Sequence, residues 1–268
     1  GDGLPDDWEI RWLHNLRQDA SADTDADRLP NITEYRYAWD PTVAVTTSVF
    51  NETKASWYPT IQAALSDSDD GDEIIASPGV YTENINFGGK NVVLRSENSE
   101  DPAVTTETVI DGGGAGSVIA FAGPEEDTCV LSGFTIRNGD AGQGGGINGG
   151  GSFARIENNI ISGNSAAHGA GLWRCNGVVQ NNLIFANSSD NVGGGLAHCN
   201  GILRNNIIRN NVADDYGGGL YSCDGAIHDN VIMGNSVTEA NCHGGGLHSC
   251  SGTVRQNIIM GNSAANRG

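Results

Sequence analysis

Five side chains that carry oxygen atoms follow one another at a defined spacing near the start of the chain. They occupy positions 1, 3, 5, 9 and 12 of a twelve-residue loop: Asp23, Asp25, Asp27, Asn31 and Glu34. The backbone carbonyl of Leu29 falls at position 7 of this loop. Hard oxygen ligands in this order are typical of a loop that folds around Ca²⁺. Position 6, where the sharp turn favours Gly, is occupied by Arg28. We expect this substitution to lower the affinity of the loop for Ca²⁺. The alternative is a solvated acidic loop.

An incomplete copy of the same pattern precedes this loop. Three acidic residues match its positions 5, 9 and 12: Asp2, Asp6 and Glu9. Positions 1 and 3 would lie before the first residue, so a half-site and a solvated acidic surface are equally good interpretations. A helix over residues 8–16 would connect the two loops. We therefore predict a small calcium-binding module over residues 1–42, in which Ca²⁺ has a structural role, followed by a linker over residues 43–57.

Internal repetition predicts the architecture of the part of the chain that follows this module. A Gly-rich triplet recurs every 24 to 27 residues between 144 and 268, starting at Gly144, Gly169, Gly193, Gly217 and Gly244. Each triplet opens the same phrase of aliphatic, Cys, Asn and Gly positions. Such a unit is too rich in Gly, Asn and β-branched residues for two helices, but it suits three short strands joined by turns. Stacked at about 4.8 Å per coil, the repeats form an all-β parallel β-helix, or β-solenoid.

Stacking places identical residues above one another. Aliphatic columns would fill a thin core, and two Asn columns would form amide ladders, in which each Asn also tolerates a left-handed turn conformation. The Asn columns are Asn159, Asn182, Asn206, Asn230, Asn257 and Asn164, Asn187, Asn211, Asn235, Asn262. A Cys column (Cys175, Cys199, Cys223, Cys250) suggests either small buried fillers or disulfides. Cys129 and Cys242 lie outside it, and Cys242 is the better candidate for a bond beyond the column.

Less regular coils of the same solenoid are expected between residue 58 and the repeats. Short β-like runs there alternate with Gly, Pro, Asn and Asp turns. Residues 58–66 differ, because Pro59 is followed by good helix formers with apolar residues at Ile61, Ala64 and Leu65. This segment is predicted to be an amphipathic helix that caps the N-terminal end of the core. The β-solenoid is therefore placed at residues 58–268.

Two family resemblances agree with this plan. Residues 58–87, with an IQAA helix followed by GD, a strand, PGVY and ENI, resemble the opening of pectin methylesterases and related members of the pectate-lyase-like superfamily. The GGG[LI] and Ile-x-x-Asn phrases are similar to repeats of polymorphic outer-membrane proteins and other bacterial surface adhesins. Together these resemblances imply a right-handed parallel β-helix. Residues 2–42 resemble thrombospondin type-3-like calcium repeats of bacterial extracellular proteins.

Candidate catalytic residues are not aligned. Pectin methylesterases need two Asp, a Gln and an Arg in strand motifs that this chain lacks. The carboxylates of the repeats stand at unrelated places in turns: Glu157, Asp190, Asp214, Asp215, Asp224, Asp229 and Glu239. Glycoside hydrolysis needs two facing carboxylates, which neighbouring coils could still supply. The histidines lack metal-ligand spacing. Trp173, Tyr221 and His248 would share an outward column; aromatic rings bind sugars, although an ordinary surface is the simpler explanation.

The net charge and the C-terminal repeats of the chain bear on its partners. The net charge of −19, with two lysines in the chain, argues against nucleic acid as a partner, and no apolar run is long enough for a membrane span. The repeats run to the last residue without a cap, which suggests either a fragment or end-to-end stacking of subunits into filaments. The favoured interpretation is an extracellular, cell-surface structural or adhesive protein that binds itself or glycans. The alternative is a polysaccharide-acting lyase or esterase, or a carbohydrate-binding module.

Overall fold

The computed structural model describes residues 3–16, 19–27, 29–44 and 48–265. From residue 49 onwards the chain winds into a β-solenoid of about seven turns, with coils of about 25 residues and parallel strands. The all-β parallel solenoid predicted from the repeats is therefore confirmed. Four short helices accompany it: α1 (Asp6–Trp12), α2 (Asn31–Tyr37), α3 (Ile61–Asp67) and α4 (Pro102–Glu107). Among the described residues, no helix combines the length and the apolar composition needed to cross a membrane.

Each regular coil contributes one strand to each of four sheets, rather than the three strands expected. Sheet 1 contains Val49–Asn51, Ser56–Tyr58, Glu73–Ala76, Val93–Ser96, Val130–Ser132, Arg155–Glu157, Val178–Gln180, Ile202–Arg204, Ala226–His228 and Val254–Arg255. Sheet 2 contains Gly79–Thr82, Thr108–Asp111, Thr135–Arg137, Ile160–Ser162, Leu183–Phe185, Ile207–Arg209, Val231–Met233 and Ile258–Met260. Sheet 3 contains Asp140–Gln143, Ser165–His168, Ser188–Val192, Val212–Ala213, Ser236–Val237 and Ser263–Ala264. Sheet 4 contains Ile85–Asn86, Ile119–Ala120, Ile147–Asn148, Leu172–Trp173, Leu196–Ala197, Leu220–Tyr221 and Leu247–His248.

Four left-handed residues per coil make the four corners. In one coil these are Gly169, Arg174, Asn181 and Ala186, with φ between 51° and 59°. The first residue of each Gly triplet has a positive φ, as predicted. The ladder asparagines tolerate this conformation but do not adopt it; the residue before each of them does. The backbone therefore turns first, and the following Asn side chain then points into the core.

The asparagine ladders are formed as predicted. Each Nδ2 donates to the Oδ1 of the Asn one coil further on, at 2.9–3.2 Å. It also donates to a backbone carbonyl of the preceding coil, as from Asn211 to Ile184 at 3.0 Å. Since the interior ladder members are buried, this network satisfies amides that would otherwise be costly in the core.

Three of the four column cysteines are buried fillers, and Cys250 is half-buried. All six cysteines, which lie within the described residues, carry free thiols. In the column each Sγ lies 3.5–3.6 Å from the carbonyl two residues earlier and donates to it. Cys242, the candidate for a bond elsewhere, instead places its Sγ 3.7 Å from Asp215 Oδ1.

The N-terminal end of the core is covered by α3 and a β-hairpin. Helix α3 buries Ile61, Ala64 and Leu65, as the sequence predicts. The Thr60 hydroxyl accepts the N–H of Ala63 at 3.0 Å as a cap. The hairpin of strands 49–51 and 56–58 lies partly within the predicted linker. It adds to sheet 1 by antiparallel pairing with strand 73–76, so no parallel edge of this sheet is left open there.

Candidate calcium centre

Three aspartates of the predicted loop converge. Ligand oxygens of Asp23, Asp25 and Asp27 all lie within 4.8 Å of one another. The backbone turns towards these side chains, because the N–H of Asp27 donates to Asp23 Oδ1 at 3.2 Å and the N–H of Leu29 donates to Asp27 Oδ1 at 2.8 Å. Three like charges this close repel one another in the absence of a cation. The arrangement has the spacing that a single hard cation requires.

Glu34 supplies the deciding observation. Its side chain lies in α2, has no solvent exposure, and both carboxylate oxygens are buried without a hydrogen-bond partner. Burial and then, in decreasing order of effect, the charges of Asp25, Asp27, Asp23 and Asp40 together raise the pKa of Glu34 from its usual 4.5 to about 8. A carboxylate buried beside other carboxylates is costly unless a cation or a proton neutralises it. The loop therefore fits Ca²⁺.

Asp25 reinforces this conclusion. Both of its carboxylate oxygens are buried and without a hydrogen-bond partner. Burial, followed by the charge of Asp27, raises the pKa of Asp25 above its usual value. Asp25 and Glu34, each with both oxygens buried and without a partner, occupy positions 3 and 12 of the predicted loop. Position 12 of such loops supplies the bidentate Glu.

Local packing holds the loop against the two N-terminal helices. The backbone N–H groups of Asn31 and Ile32 donate to the carbonyls of Ala22 and Ala20, at 2.7 and 2.9 Å. Leu29 is fully buried. The rings of Trp8 in α1 and Tyr35 in α2 meet edge to face, with centroids 5.7 Å apart. These contacts fix Glu34, on the first turn of α2, beside the aspartates of the preceding loop.

The remaining predicted ligands fall in different places. Asn31 is buried, its Oδ1 accepts the Thr24 hydroxyl at 2.9 Å, and its Nδ2 has no partner. Asp2 and Arg28 lie outside the described residues. Asp6 is exposed at the start of α1, whereas Glu9 is buried on the same helix. The half-site of Asp2, Asp6 and Glu9 therefore stays a prediction.

A strip of seven rings runs along one side of the solenoid. It contains the predicted column, three further rings at the Gly-triplet corner, and His198 at the corner before Cys199. The seven residues are His168, Trp173, His198, Tyr216, Tyr221, His243 and His248. Neighbouring centroids are 4.6–6.5 Å apart, and all seven side chains are half-buried. The register Trp173–Ala197–Tyr221–His248 is as predicted. The sequence did not reveal that the Gly-triplet corner brings His168, Tyr216 and His243 to this column.

An open cleft adjoins the N-terminal end of this ring strip. Its volume is about 760 Å³, and its polar lining includes Ser117, Asp140, Gln143, Asn148 and His168. Asn148 continues the column of Trp173 by one coil. Hydroxyl, amide and carboxylate groups beside a row of rings are a combination suited to hydrogen bonding and stacking with one ligand.

No protein-family model, curated protein or solved structure matches this chain. The resemblances to the pectate-lyase-like superfamily, to bacterial surface adhesins and to thrombospondin type-3-like repeats consequently remain predictions from the sequence. What stands independently of them is the β-solenoid and the geometry of the acidic loop.

Proposed function

We propose that this chain is an extracellular structural or adhesive β-solenoid whose N-terminal module is stabilised by Ca²⁺. The observation that carries the proposal is the Glu34 carboxylate, which is fully buried without a partner beside three aspartates. Asp23, Asp25, Asp27, Asn31 and Glu34 would hold the ion, with the Leu29 carbonyl at the seventh loop position. The bound ion would neutralise these side chains and fix α2 to the loop.

The proposed location follows from the expected affinity. Extracellular calcium modules work with dissociation constants of about 10⁻⁴–10⁻³ M. The Arg at loop position 6 introduces a positive charge where such loops favour Gly, so we expect binding in this weak range. Such a site fills outside cells, where Ca²⁺ is abundant.

The proposed scaffold role rests on the ladders. Asn, Cys and aliphatic side chains bond or pack with their equivalents in the next coil, so the interior maintains the rod whatever the outer residues are. A rod of this kind can present one surface repeatedly along its length. End-to-end stacking into filaments remains a separate prediction, which electron microscopy of the purified chain with calcium and with chelator would test.

Calorimetric titration with Ca²⁺ tests the proposed site. The wild-type chain should bind one ion at the Asp23 loop, and Glu34→Gln should weaken this binding by at least about tenfold, because it removes a charged bidentate ligand. Glu52→Gln, at an exposed acid of the hairpin, is the matched control and should bind as the wild type does. Equal affinities of wild type and Glu34→Gln, with both folded by circular dichroism, would contradict the proposal.

The ring strip favours carbohydrate binding as a second candidate function. Half-exposed Trp and Tyr rings give apolar surface with polar edges, and the adjoining cleft offers hydrogen-bonding groups. Affinity electrophoresis in gels containing neutral polysaccharides would test it. Retardation of the wild type that is lost in Trp173→Ala would support glycan binding. Equal mobility of both proteins in every glycan would reject it, and turnover of a polysaccharide would instead favour the enzymatic alternative.

A further inference from the structure

The outer face of sheet 2 carries an aliphatic ladder of one exposed and three half-buried residues over four interior coils. Strand register stacks Ile160, Leu183, Ile207 and Val231 directly above one another. Their chain neighbours Ile161, Ile184, Ile208 and Ile232 are fully buried, so this ladder points outward. Ile207 is 43% exposed. We call these four residues, together with Phe185 and Met233 two positions further along their strands, the aliphatic face.

The same sheet is covered on the two strands just before this ladder. Helix α4 packs on strands 108–111 and 135–137, Val109 is only 6% exposed, and the Thr135 hydroxyl donates to the Thr105 carbonyl at 2.9 Å. Beside α4, a groove of about 220 Å³ lies between Pro102 and Thr105 of the helix and the ladder residues Ile160 and Leu183. The aliphatic face thus continues the outer surface of sheet 2. Helix α4 covers this surface one coil earlier but does not cover the aliphatic face.

The net charge is unevenly distributed along the chain, and few charged residues lie on this face. Residues 1–143 carry 26 acids and 8 bases, a net charge of −18, whereas residues 144–268 carry 7 acids and 6 bases, a net charge of −1. Among the eight outward positions of strands 160–162, 183–185, 207–209 and 231–233 the single charged residue is Arg209. Its guanidinium lies over the Phe185 ring, 4.8 Å from the centroid. Apart from Arg209, the outward positions of these strands are therefore uncharged, in a chain whose N-terminal half is strongly acidic.

We propose that the aliphatic face binds a second copy of this chain, side by side and antiparallel. A two-fold axis perpendicular to the solenoid would lay the ladder of one copy on that of the other as a self-complementary interface. The two sheets would pack face to face at about 10 Å. The antiparallel direction sends the two acidic N-terminal halves to opposite ends, whereas a parallel pair would bring charges of −18 together. The pairing is lateral and goes beyond the proposed calcium-stabilised scaffold.

Sedimentation velocity of the full chain over a dilution series, with calcium present, tests this pairing. The wild type should dimerise, and Ile207→Lys should raise the dimer dissociation constant by about tenfold or more, because it places an unpaired charge at the centre of the interface. Val80→Lys is the matched control, since Val80 is a 53% exposed aliphatic residue of the same sheet on the far side of α4. Val80→Lys should dimerise like the wild type.

Two further measurements separate this proposal from the others. Small-angle X-ray scattering should show a dimer that lengthens the particle by much less than the doubling expected from end-to-end stacking. Glu34→Gln should leave the dimer intact, so that loss of the calcium site and loss of the lateral interface are distinguishable. A chain that is monomeric at its highest soluble concentration, or a dimer that Ile207→Lys leaves unchanged, would overturn the proposal.

Discussion

Replacement of one ladder asparagine should destabilise the solenoid far more than its small size suggests. Asn211 has no solvent exposure. Its Oδ1 accepts the backbone N–H and the Nδ2 of Asn187, at 3.1 and 3.0 Å. Its Nδ2 donates to the Ile184 carbonyl and to Asn235 Oδ1, each at 3.0 Å. Asn211→Ala removes all four hydrogen bonds, while the backbone N–H of residue 211 still reaches Asn235.

The four losses are unequal. The backbone N–H of Asn187 loses its acceptor in a buried place, which costs about 1–3 kcal/mol. Asn187 Nδ2 keeps a bond to the Ile161 carbonyl at 3.0 Å. We therefore assign a net value of about 1 kcal/mol to each of the three other lost bonds. These are the bond from Asn187 Nδ2 to Asn211 Oδ1 and the two that Asn211 Nδ2 donates. The free energy of unfolding should fall by about 4–6 kcal/mol in total.

Urea denaturation followed by Trp fluorescence and far-ultraviolet circular dichroism measures this loss. Hydrogen exchange at the Asn187 amide provides a local readout, and this amide should exchange much faster in the variant. Asn210→Gly is the matched control, because Asn210 is exposed and has φ of 54°, which Gly adopts without strain; it should change stability by less than about 1 kcal/mol. A loss below about 1 kcal/mol in Asn211→Ala, with the Asn187 amide still protected, would refute the ladder account.

Three other predictions concern pH, close packing and thiol reactivity. Because the pKa of Glu34 is raised to about 8 in the metal-free protein, the metal-free module should lose stability as pH rises from 4.5 towards 8. For the same reason, Ca²⁺ binding at pH 7 should release protons. Binding enthalpies that are identical in buffers of different ionisation enthalpy would contradict this proton release. Gly195→Ala should destabilise the coil by about 1–3 kcal/mol in thermal melts, since its Cβ would lie 2.6 Å from the Gly219 carbonyl oxygen. Gly142→Ala, with open space around it, is its control, and equal melting temperatures would count against the packing argument. Burial raises the pKa of the Cys199 thiol, so this thiol should resist a disulfide reagent until the chain unfolds; prompt modification of the native protein would show that the column opens.

The solenoid was predictable because its signals are local and repeated. One wrong residue in a single coil matters little when four or five copies place the same aliphatic, Cys and Asn residues in columns. The number of sheets was not predictable in the same way. A corner needs only one left-handed residue, and that residue is Arg174 in one coil and His198 in the next. Neither type is recognised as a turn residue from the sequence, so the corner before each Cys was missed.

The acidic loop was predictable in part. Ligand spacing alone identified Asp23, Asp25, Asp27 and Glu34 as a group, because positions in a twelve-residue loop are set by the chain itself. The burial of Glu34 depends on the packing of α2 against its surroundings, which spacing does not encode. For the same reason the ring strip was only partly foreseen. Residues of one column were recognised, but His168 and Tyr216 join it through the tight Gly corner.

Hydrogen exchange of the full chain, with Ca²⁺ and then with excess chelator, tests the central claim most directly. The account predicts that chelation accelerates exchange in residues 19–27 and 29–40, where the ion would hold the loop to α2. It also predicts that the amides of Asn187 and Asn211 in the ladder stay protected under both conditions. Identical exchange of the N-terminal module with and without Ca²⁺ would contradict the claim that this solenoid carries a calcium-stabilised module.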